Sequence, residues 1–141
     1  MRSVFALGWM VLALAADVGA DATQRDLDKL QGTWTLEQVE ANGQTLPIDP
    51  LNPPKVVFKD NSLRVNDSGK FTFKLDATTD PKIIDLTTDQ GMTLEGIYEL
   101  TDEVLRLCFN VNTGGVKQRP VEFTGKADSG QALAVLRRVK P

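Results

Sequence analysis

Beyond residue 32, apolar and polar residues alternate with period two in short runs separated by turn residues, the pattern of strands with one face toward a core. The runs are Thr33 to Glu40, Lys55 to Lys59, Leu63 to Asn66, Phe71 to Leu75, Ile83 to Thr87, Thr93 to Leu100, Val104 to Asn110, Val121 to Thr124 and Leu133 to Val139. Asn42-Gly43 is a strong hairpin signal, and Asp60-Asn61 and Asp67-Ser68-Gly69 mark further turns. Pro47, Pro50, Pro53 and Pro54 exclude a central strand from the connection they punctuate. Ahead of the strands, Thr23 and Asp26 stand at capping-box spacing, Leu27 and Leu30 form an apolar edge, and Gly32 ends a helix of about two turns. Many short strands and no second helix predict an all-β fold. The expected form is a small antiparallel up-and-down barrel with a short N-terminal helix, and a sandwich is the alternative.

Residues 1–20 follow another pattern. Met1-Arg2 is a short positive start, Val4 to Ala16 is an apolar run, and Val18-x-Ala20 places small residues at the −3 and −1 positions of a cleavage site. The run is too short to span a bilayer, which takes about 20 apolar residues. Residues 1–20 therefore read as a signal peptide, and residues 21–141 as a single domain that is exported to the periplasm or beyond the cell. No stable membrane insertion is expected after cleavage, an uncleaved anchor being the competing interpretation. Cys108 is the single cysteine of the chain. Within one molecule it has no disulfide partner, and its place in an apolar run marks it as a packed side chain.

Charge and composition narrow the chemistry. Lys+Arg 16 against Asp+Glu 19 gives a formal net charge of −3, and no stretch of sequence concentrates the basic residues. Nucleic acid and anionic membranes are poor partners for such a chain. Histidine is absent, which removes the commonest general base, the usual nucleophile activator and the commonest metal ligand. No metal or cofactor is expected. Leu75 to Asp80 echoes Ile84 to Asp89, but the carboxylates lack the alternate spacing of a calcium loop, and turn chemistry accounts for them.

Alternation directs Trp34, Leu36, Phe71, Phe73, Leu75, Leu94, Tyr98, Leu100, Leu105, Leu107, Phe109, Leu133 and Val135 into the barrel. A lining this apolar suits either a filled core or a pocket for an apolar ligand. Arg137 shares the parity of Leu133, Val135 and Val139, so it is expected to point inward while Arg138 points out. There it would stack over Trp34 and close the barrel, or clamp the carboxylate of a fatty-acid-like ligand. Tyr98 is the other candidate polar contact for a ligand. Glu95 and Glu99 are the carboxylates on which catalysis would have to rest, and nothing else in the sequence marks them.

Gly32-Thr33-Trp34 resembles the Gly-x-Trp motif that opens lipocalins and fatty-acid-binding proteins, whose closing strand carries a basic companion. The chain as a whole is similar to a planctomycete lipocalin-like domain family of unknown function. The residues that carry this are LQGTW at 30–34, EANGQ at 40–44, IDLT at 84–87, GIYEL at 96–100, LRLCFN at 105–110, RPVEF at 119–123 and LAVLRRVK at 133–140. The resemblance implies a small exported lipocalin-like barrel in which Gly32, Trp34 and Arg137 close the fold. It implies no catalytic residue. Typical lipocalins have a long C-terminal helix and a disulfide, both lacking here. The expected function is a binding module that holds a small hydrophobic ligand inside the barrel. The alternative is a non-catalytic envelope interaction domain with a solid core, whose Pro47 to Pro54 and Asn112 to Arg119 loops contact another envelope protein or a polysaccharide.

Overall fold

The alternation becomes nine antiparallel strands in the computed structural model, which describes residues 19–67, 69–111 and 118–140. A helix, α1, covers residues 19–30. The strands are β1 (Gly32–Ala41), β2 (Gln44–Leu46), β3 (Lys55–Lys59), β4 (Ser62–Val65), β5 (Gly69–Asp76), β6 (Lys82–Thr88), β7 (Thr93–Leu100), β8 (Val104–Asn110) and β9 (Gln131–Arg138). From β3 to β9 each strand pairs with its successor, and β1 pairs with both β3 and β9. Eight strands thus close into an up-and-down, lipocalin-like barrel, while β2 forms a hairpin on the far half of β1. Asn42 and Gly43 turn that hairpin with φ of 55° and 76°, the left-handed conformations an Asn-Gly turn supplies at least strain. Closure leaves few unpaired strand edges, and β2 is only three residues long.

The interior is filled by side chains. Trp34, Val56, Phe58, Leu63, Phe73, Ile84, Leu86, Tyr98, Leu105, Leu107 and Leu136 are buried there, and Leu30 of α1 joins them from one end. Phe58 and Phe73 meet edge to face with centroids 5.6 Å apart, a favoured aromatic geometry. Gly96 faces the Phe109 ring so closely that a β-carbon would overlap the ring and lie 2.8 Å from the Cys108 carbonyl oxygen. A bulge between Leu36 and Gln38 re-phases β1, so that Val39 and Ala41 pair with Ala134 and Ala132 of β9.

Several expectations change. Thr23 and Asp26 lie within α1 rather than at its cap; the Thr23 hydroxyl accepts from the Ala77 amide at 3.1 Å. Val121 to Thr124 is no strand. Residues 118–126 instead run as an irregular strap over the outside of β8, β9 and β1. The Gln118 carbonyl accepts from Asn110, the Glu122 and Thr124 carbonyls accept from Gln131 Nε2, and the Gly125 amide donates to Glu40. The strap buries an outer cluster of Ile97, Cys108 and Leu133 beneath Phe123. Leu133 and Val135 therefore face outward, against the expected parity. The apolar residues of β9 look inward-facing in the sequence because its outer face is covered too. Of residues 1–20, expected from sequence to be a signal peptide, residues 1–18 lie outside the described residues, and Gly19 and Ala20 belong to α1. No described helix is long and apolar enough to cross a membrane.

Candidate functional site

α1 lies across one end of the barrel, and the side chains that fasten it include Trp34 and Tyr98, two of the candidates read from sequence. Leu30 is fully buried at its last turn, and the Trp34 indole Nε1 donates to the Leu30 carbonyl at 2.9 Å. That bond satisfies one of the orphan carbonyls every helix leaves at its C-terminus. Asp26, 8% exposed, is the one buried charged residue among those described. Its Oδ2 accepts from the Tyr98 hydroxyl at 2.7 Å and from Lys82 Nζ at 2.8 Å. A carboxylate taken out of water needs such partners.

Tyr98, proposed from sequence as a ligand contact, thus spends its hydroxyl on α1. Burial, followed by the hydrogen bond to Asp26 and that group's charge, holds the phenol far above its ordinary value of 10.0. The unfolded chain releases this proton near the ordinary value while the folded chain keeps it. Stability from this group is therefore full below about pH 10 and falls as pH rises further. Tyr98→Phe should flatten that alkaline decline and cost about 1 to 2 kcal/mol at neutral pH. Urea midpoints of both proteins between pH 7 and 11 check it, and an unchanged alkaline slope would remove Tyr98 as the cause.

Arg137 does not close the barrel. Its side chain is exposed and pairs with Glu37 at 2.8 Å across the outside of the β1–β9 seam. Arg138 takes the closing position. Its guanidinium carbon lies 4.3 Å from the Trp34 ring centroid, and its nitrogens donate to the Gln31 carbonyl at 3.1 Å, the Asp102 carbonyl at 3.0 Å and the Lys29 carbonyl. The inward face of β9 is the row Ala132, Ala134, Leu136, Arg138, which pairs with the inward row of β1. Gly32, with φ of 119°, turns the chain from helix to strand, and Arg138 passes 3.6 Å from where its side chain would begin. Sequence reasoning missed Asp26, Lys82 and Arg138. Asp26 is one helical turn before Leu30, and that i, i+4 spacing was the available signal for an inward-facing carboxylate.

The opposite end of the barrel is ringed by the half-buried Phe71, Leu94 and Phe109. A depression of about 200 Å³ there is lined by Ala41, Asn42, Val111, Gly130 and Gln131. Small-molecule pockets usually enclose about 300 to 1,000 Å³. The remaining reactive groups are engaged separately. Glu99 pairs with Arg106 at 3.3 Å, whereas Glu95 and Asp85 flank Arg119 at 3.5 and 2.7 Å. Burial raises the Cys108 thiol, which donates to the Thr124 carbonyl at 3.4 Å, the reverse of an activated nucleophile. Among the described residues no group of three or more His, Cys, Asp or Glu side chains could hold a metal ion. Of the loops expected to meet a partner, Pro47 to Pro54 is a surface connection with Leu51 93% exposed, whereas 112–117 lies outside the described residues. Comparison of the chain with protein-family models, with curated proteins and with solved structures finds no match.

Proposed function

We propose that this chain is an exported, non-catalytic interaction domain of the lipocalin-like class, whose barrel is a solid scaffold and whose outer surface does the binding. The observation that supports this most is the interior. Trp34, Phe58, Ile84, Tyr98, Leu105 and Leu136 each have no more than 2% of their surface exposed, and α1 covers one end. Side chains occupy the space in which a hollow relative would hold a ligand. The polar groups that would have gripped a carboxylate are committed elsewhere: Tyr98 to Asp26, Arg137 to Glu37 and Arg138 to the carbonyls of Lys29 and Gln31 at the end of α1. Export is supported by the amino-terminal pattern of residues 1–20.

A second reading, a small hydrophobic ligand held at the mouth of the barrel, draws on Phe71, Leu94 and Phe109, which are only half-buried. Native mass spectrometry of protein purified from its own source distinguishes the two. The solid-scaffold reading expects the mass of the mature chain alone and no displacement of a fluorescent fatty acid. A stoichiometric small molecule that survives desalting and is lost from Phe109→Asp would overturn it in favour of the mouth-bound ligand.

A further inference from the structure

The outward side of β3, β4 and β5 gathers Lys55, Lys59, Arg64, Lys70 and Lys74, and all five are exposed. None forms an ion pair with a described residue. Elsewhere on the barrel the pattern differs: Lys82, Arg106, Arg119, Lys126 and Arg137 each hold a carboxylate within 4.0 Å. Outward positions of β3, β4 and β5 carry no acid until Asp76 at the end of β5; Asp60 and Asp67 stand at the rims in the β3–β4 and β4–β5 turns, and Asp85 on β6 is the cross-strand partner of Lys74. On a chain with net charge −3, this face is a local reversal of sign. Uncompensated like charges repel one another, and an anionic occupant relieves that repulsion.

Pairing register adds a second chemistry to the same face. Ser62, Thr72, Thr87 and Thr93 are successive cross-strand partners on β4 to β7, forming a row of hydroxyls beside the cations. Two depressions follow this arrangement. One of about 440 Å³ is lined in part by Lys59, Ser62, Arg64 and Lys70, with Asp67 at its edge, and the adjoining one of about 390 Å³ in part by Thr72, Lys74, Thr87 and Thr93 together with Asp85, whose carboxylate is neutralised by Arg119 at 2.7 Å.

We propose that this face docks an acidic polysaccharide, its carboxylate or sulfate groups on the five cations and its hydroxyls on the Ser/Thr row. The proposal rests on the reading of the protein as a surface-binding scaffold and names what that surface takes. Single-stranded nucleic acid is disfavoured because the face presents no aromatic ring on which bases could stack; Phe58 and Phe73 point inward. A membrane surface is disfavoured because Val57, 40% exposed, is the single large apolar side chain standing on the face, too little to insert.

The test uses the full mature chain and three polymers: polygalacturonate, dextran sulfate and neutral dextran. Binding to either acidic polymer is expected at low salt, weakening steadily as salt rises, with none to neutral dextran. Arg64→Glu with Lys70→Glu should weaken it at least about tenfold, while the charge-matched pair Lys126→Glu with Lys140→Glu should change it by less than about twofold. Arg64→Gln with Lys70→Gln, together with unfolding midpoints of every variant, separates lost binding from lost fold. The proposal is overturned by no binding to either acidic polymer, by equal weakening from the two reversals, or by tighter binding to duplex DNA or phosphatidylglycerol vesicles. Its failure would leave the solid-scaffold reading intact, because that reading depends on the mass of the purified protein and not on any polymer.

Discussion

Trp34→Ala is expected to cost about 3 to 5 kcal/mol of stability, the range for deleting a packed indole, and is the most damaging single change foreseen in this barrel. The ring has no exposed surface and sits where three elements meet: β1 carries it, α1 supplies the Leu30 carbonyl to its Nε1, and β9 lays Arg138 on its face. Truncation therefore opens a cavity, orphans a buried helix-terminal carbonyl and strips the cation of its platform. Trp34→Phe should fall between wild type and alanine, since it restores much of the volume but none of the hydrogen bond. Urea titration followed by far-ultraviolet circular dichroism measures both without relying on the tryptophan lost. A change below about 1 kcal/mol for alanine would mean that the seam is not organised around this ring.

The next largest effect should separate two neighbouring arginines. Arg138→Ala is expected to cost about 3 kcal/mol, because three carbonyls at the plugged end lose a charged donor and the indole loses its cover. Arg137→Ala should stay within about 0.5 to 1 kcal/mol, because its partner Glu37 is half exposed and water replaces the lost contact. Arg138→Lys keeps the charge but not the planar fork, and should recover less than half of the loss. Paired urea unfolding of the three variants decides this. Equal sensitivity at positions 137 and 138 would contradict the register between β1 and β9.

What could be read before the structure was known depended on whether a strand has one covered face or two. β3, β7 and β8 fall where alternation puts them, at Lys55–Lys59, Thr93–Leu100 and Val104–Asn110, and the inward residues of β7 and β8 are those expected. β9 misled because the strap buries Leu133 from outside, so that apolarity no longer distinguishes inside from out. The strap carries a strand-like run at Val121 to Thr124 without being a strand. Its β-prone residues pack against the barrel, but its carbonyls bond to side chains of Cys108 and Gln131 instead of a neighbouring strand. β2 escaped notice because three exposed residues carry no period. Asp26 fits a capping pattern locally, and only the tertiary position of Tyr98 and Lys82 reveals a buried anchor. The cationic face is also invisible to a linear charge count, since its members are spread over three strands and meet only through pairing.

Closure by β1 and β9 also determines when this protein can become folded. Thr35 and Arg137 are partners across that seam although 102 positions separate them in the chain. From β3 to β9 each strand meets its sequence neighbour, so successive hairpins can form as soon as their two strands exist. The seam has to wait. During synthesis the second edge of β1 stays open until residues 131–138 have emerged, and the Arg138 cation that covers Trp34 arrives only with that last strand. Long loop closure of this kind is entropically slow, and it places the barrel with folders that take milliseconds to seconds rather than microseconds. A nascent or truncated chain that ends before β9 is thus a set of hairpins around an exposed indole, and the final eight-residue strand converts it into a protein.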